Sequence, residues 1–145
     1  MNTPAPDGRW KGAVTQRPLP EIDDEIRELP QAERALIAHL WWSQAATEGR
    51  VAHSFAVVRD ALMRLGAGAE ITALSARAVD DEHRHAALCM QMATRYLGHH
   101  VAPTIELPFS HPTHPTARSP RLRDALYVVG QCVFNETLAS AYLAA

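Results

Sequence analysis

The sequence predicts an all-α fold, and three observations carry that reading. Apolar residues recur at i, i+3/i+4 and i+7 over about 30–65, 69–97 and 120–145. Glycine and proline stand where such helices would start and stop: Pro30, Gly66–Gly68, Gly98 and Pro120. Between the second and third segments lies "HHVAPTIELPFSHPTHPTARSP", too rich in proline for a helix.

The 145 residues suffice for one domain with a sizeable core. Residues 1–29 read as an irregular extension. They carry Pro4, Pro6, Pro18 and Pro20, then "EIDDEIREL", which suggests one short helical turn. The first long helix starts at Pro30, with Glu33 near its positive end. Its stripe passes through Leu40, Trp41, Ala45, Val51, Ala52, Phe55, Val58, Leu62 and Leu65. "GAG", residues 66–68, supplies a C-cap glycine and a tight turn. The second helix carries Ile71, Leu74, Ala78, Glu82, His85, Cys89, Met92 and Tyr96 on its stripe and ends at Gly98. The proline-rich connection is long enough to cross the molecule, with a short strand at 104–107 as an alternative for part of it. Ser119 and Pro120 then read as N-cap and first residue of a third helix. Its stripe is Leu122, Leu126, Val129, Val133, Glu136, Ser140 and Leu143.

Composition removes several function classes. The formal net charge is −2 and basic residues are scattered, which argues against a nucleic-acid partner. No apolar run approaches the length of a membrane span, and the N-terminal residues lack the apolar region of a signal peptide. The expected location is therefore cytoplasmic. Cys89 and Cys132 lie far apart in apolar segments, and read as buried reduced thiols.

Chemistry enters with charge on the apolar stripes. Glu48, Glu82 and Glu136 each sit among apolar neighbours, one per helix. Ionised side chains are rarely buried without a partner. Glu82 and His85 form Glu-x-x-His, and i, i+3 spacing puts both on one helix face. If the first two helices fold back antiparallel about Ala67, Glu48 comes level with His85 and about 6 Å from the level of Glu82. Facing helices about 8–10 Å apart then let these side chains converge on one cation. Carboxylates with an imidazole suit iron or manganese, and also accept zinc. Asp80, Asp81, His83 and Arg84 fall on the wet side of the same charge run. Trp41, Trp42, Tyr96 and Tyr127 read as packing residues, and Gly49 as a site of close helix approach or a tolerated glycine.

The stretches "AATEGRVAHSFAVVRDALMRLGAG", "VDDEHRHAALCMQMATRYLG" and "GQCVFNETLASAYL" resemble the ferritin-like superfamily, and most closely the bacterial ferritin-like domain proteins. The resemblance covers residues 31–145. It implies an antiparallel ferritin-like helical bundle over 30–145 and a di-metal carboxylate centre, with two iron ions, or manganese or zinc in their place. Glu48 matches the first-helix ligand, Glu82 the bridging carboxylate, His85 its partner and Glu136 the third-helix carboxylate. It also implies oxidoreductase chemistry with dioxygen, as an oxidase, an oxygenase or a ferroxidase. The family pattern needs a second Glu-x-x-His on a fourth helix, which this sequence lacks. Three expectations follow from that gap: a chain cut short, a homodimer that completes the bundle, or a partial site on a non-catalytic helical scaffold.

Overall fold

The computed structural model describes residues 19, 21–102, 110 and 112–135. Within them the chain is all-α, with no strand among the described residues. The 104–107 alternative, Glu136 and the rest of 136–145 lie outside them. Helix α1 spans Asp23–Glu28, α2 Gln31–Leu65, α3 Ala69–Leu97 and α4 Pro120–Val129. A π-helical segment, Gly130–Asn135, continues α4.

The hairpin of α2 and α3 is the body of the fold. The end of α2 is set by Gly66, whose φ of 81° lies in the left-handed region. That conformation costs an L side chain about 1 kcal/mol or more, and glycine nothing. The amides of Gly66 and Ala67 turn back onto the carbonyls of Met63 and Leu62 at 3.1 and 3.0 Å. This is a Schellman closure. Gly98, at φ 74°, ends α3 by a simpler closure, its own amide donating to the Thr94 carbonyl. Pro30 stands just before α2 and is its N-cap, and its carbonyl accepts from Arg34 at 3.0 Å.

Small residues line the α2 side of the core. Ala38, Ala45, Ala52, Val58 and Ala61 are buried on α2, and Cys89, Met92 and Ala93 on α3. Helix α4 docks on α2 through two contacts that sequence spacing does not show. The Tyr127 hydroxyl lies 2.9 Å from the Ser54 hydroxyl in a buried contact. The Arg64 guanidinium grips Asp124 with bonds of 2.8 and 2.9 Å. The short α1 lies against α3, with Ile26 buried and Asp23 paired to Arg95 at 2.7 Å. Ser119 caps α4 as its position suggests, accepting from the Leu122 amide at 3.1 Å.

The apolar stripes are only partly covered. Leu40 is 59% exposed, Ile71 53% and Leu74 51%. Leu122, Leu126, Val129 and Val133 are exposed as well. Periodicity marks these residues as one face of their helix, but no described element packs over them. Helix α4 leans on α2 through Tyr127, which is not on the stripe of α4.

Four substitutions test these contacts and turns. Tyr127→Phe should cost about 1 kcal/mol in urea unfolding, and adding Ser54→Ala should cost less than the two single losses summed. Gly66→Ala should cost about 1 kcal/mol. A Cβ at Gly49 meets no atom within 4 Å. Close helix approach is therefore not what Gly49 serves, and Gly49→Ala should stabilise the chain by about 0.5–1 kcal/mol.

Candidate metal centre

The hairpin register brings Glu48 of α2 onto Glu82 and His85 of α3. One ligand atom from each lies within 4.8 Å of the other two. Three donors sharing one ion at about 2.1 Å sit about 3.0–3.6 Å apart, since at most one pair of them can lie opposite each other. The three groups therefore need to close by up to about 2 Å, within reach of rotamer adjustment.

The two carboxylates are held differently. Glu82 is the deeper, with its side chain 15% exposed, while His85 is 46% exposed and forms the open side. The Nδ1 atom of His85 lies 3.0 Å from a Glu82 oxygen. Glu48 accepts a hydrogen bond of 2.6 Å from the Gln44 side-chain amide, one turn earlier on α2.

Burial, with a hydrogen bond to Glu48 and its nearby charge, pushes the Glu82 carboxyl up to about 7, although His85 pulls it down. Two acids in one sheltered place cannot both ionise cheaply, so a proton remains on Glu82. A divalent cation reverses that preference, because it favours both carboxylates charged. Cys89 lies one turn beyond His85, buried, and burial with the Glu48 charge pushes its thiol up to about 11. It is a neutral thiol at neutral pH, in keeping with a buried reduced cysteine.

Glu136, the fourth residue of the expected ligand set, lies outside the described residues. His83 is exposed, as its place off the stripe suggests. It lines, with His53 and Gly49, a separate groove of about 360 Å³ between α2 and α3. Asp81 and Arg84 pair with each other beside the centre. Gln44 is the functional candidate that stripe reading misses. Its signal is a glutamine four residues before a stripe glutamate, hence on the same face.

No family model, curated protein or solved structure matches this chain.

The Glu82 carboxyl sets a pH dependence for the metal-free chain. The unfolded chain ionises this group near 4.5 and the folded chain near 7. The folded state therefore binds the extra proton between these values, and stability falls as pH rises through that window. In the presence of a chelator, Glu82→Gln should remove this loss. At pH 8 it should then be more stable than the parent by about 1 kcal/mol after solvent screening, measured by urea unfolding.

Proposed function

We propose that this chain is a ferritin-like di-metal carboxylate protein, with iron as the metal. One observation carries the reading: Glu48, Glu82 and His85 offer three ligand atoms within 4.8 Å across two helices. The raised Glu82 carboxyl supports it, since a carboxyl kept protonated by burial and by a second carboxylate is the arrangement that a cation relieves. Glu136 follows the π-helical segment in sequence and is the fourth ligand of this reading. Manganese and zinc suit the same donors.

A bound iron pair would supply dioxygen-dependent oxidation, acting on an organic substrate or on Fe(II) itself. Glu48 and Glu82 would provide the negative charge that holds the metal, and His85 the nitrogen donor. The described residues supply about half of a two-metal ligand set. A second copy of the chain would bring the same three residues again, related by two-fold symmetry. The exposed Ile71 and Leu74 share the face of α3 that carries His85, as i, i+3/i+4 spacing requires. That face is where such a copy would cover both apolar surface and metal.

A second reading is a non-catalytic helical scaffold with a partial site. The half-exposed His85 favours it, because an open ligand holds metal weakly in water.

Anaerobic titration with Fe(II), joined to native mass, separates the two. The di-metal reading expects two irons per dimer, oxygen uptake on exposure to air, and a loss of binding of at least about tenfold in Glu82→Ala. A chain that binds none of Fe(II), Mn(II) and Zn(II) would be the scaffold.

A further inference from the structure

We propose that Gln44 is a positioning residue for the Glu48 ligand, holding its carboxylate over the Glu82–His85 pair. This rests on the metal-binding reading above and adds a residue to it.

Glu48 has three rotatable side-chain bonds and sits half-buried near the solvent edge of the hairpin. Left alone it would sample outward rotamers, and each binding event would have to reorder it. Gln44 removes that freedom. Its Nε2 donates to Glu48 Oε1 at 2.6 Å, a close contact. The two residues are one turn apart on α2, so the bond needs no distortion of the helix.

The choice of side chain matters as much as the bond. A lysine or arginine at position 44 would orient Glu48 equally well, but would also neutralise it and repel an arriving cation. A neutral amide orients the carboxylate and leaves its charge available. One oxygen is engaged by Gln44, and the contact with the Glu82 carboxyl is the one a cation would replace. Metal ligands are commonly held in this way by a hydrogen-bonding neighbour.

An ordinary helix-surface pair would act on helix stability alone, and the chain contains one for comparison. Arg27 donates to Asp24, three residues apart and exposed, on the short helix α1.

The test is Co(II) titration of the full chain, followed by calorimetry and by visible absorption. Gln44→Met keeps the length of the side chain and removes the donor without adding charge. It should bind Co(II) about tenfold more weakly. Its Co(II) absorption bands should broaden or shift, while the Tm of the metal-free protein stays within about 1 °C of the parent. Arg27→Met should leave affinity and spectrum unchanged. Parent-like affinity and spectrum in Gln44→Met would overturn the role of Gln44 while leaving the metal site standing. An equal loss in Arg27→Met would overturn it too, by showing a general effect on the helices. Failure of the parent chain to bind Co(II), Fe(II), Mn(II) or Zn(II) would remove the metal site and this role together.

Discussion

The register of the α2–α3 hairpin is the constraint on which the rest depends. It is fixed at one point, where Gly66 takes a left-handed conformation and the chain reverses within three residues. Every level on α2 then has a set partner level on α3. Inserting one residue in that turn would rotate and lift the whole of α3 by one step, and the carboxylates would no longer meet. Packing between the helices tolerates little adjustment, since most of the buried apolar residues on α2 are alanines. Sheltering two acids in one place is unfavourable on its own terms. The hairpin accepts that cost at one level only, and this localisation makes the site a candidate for function.

Much of this was legible in the sequence for simple reasons. A period of 3.6 and a glycine turn suffice to define a hairpin, and counting levels from the turn suffices to pair Glu48 with Glu82 and His85. The cap at Ser119 and the stop at Gly98 are local signals and read correctly. What failed to read was the outer surface of the stripes. Periodicity says that Leu40, Ile71 and Leu74 share a face with the core, but not which element covers that face. Long-range polar ties were invisible for another reason. Arg64 with Asp124 and Asp23 with Arg95 are 60 and 72 residues apart, and no spacing rule connects them. Gln44 gives no charge signal, because a neutral amide on a helix face looks like any other polar surface residue.

The placement of α4 illustrates how one buried polar contact can overrule a stripe. Leu122, Leu126 and Val129 would be the obvious docking face, yet Tyr127 is the buried residue. Its hydroxyl finds Ser54 on α2 while its ring fills the space between the helices, so the pair satisfies polar and apolar demands together. Asp124 and Arg64 fix the direction of the helix at its first turns. The aliphatic face is left over, and leftover aliphatic surface is what gives an assembling partner something to cover.

The small helix α1 has a mechanical consequence. It is joined to the start of α2 by Leu29 and Pro30, and it rests on α3 through Ile26 and the Asp23–Arg95 pair. It therefore works as a clasp across the mouth of the hairpin, at the end opposite the glycine turn. Two long helices hinged at one end alone would splay most at the other. A segment of six residues at the edge of the fold thus ties together the ends of the two helices whose mid-span carries Glu48, Glu82 and His85.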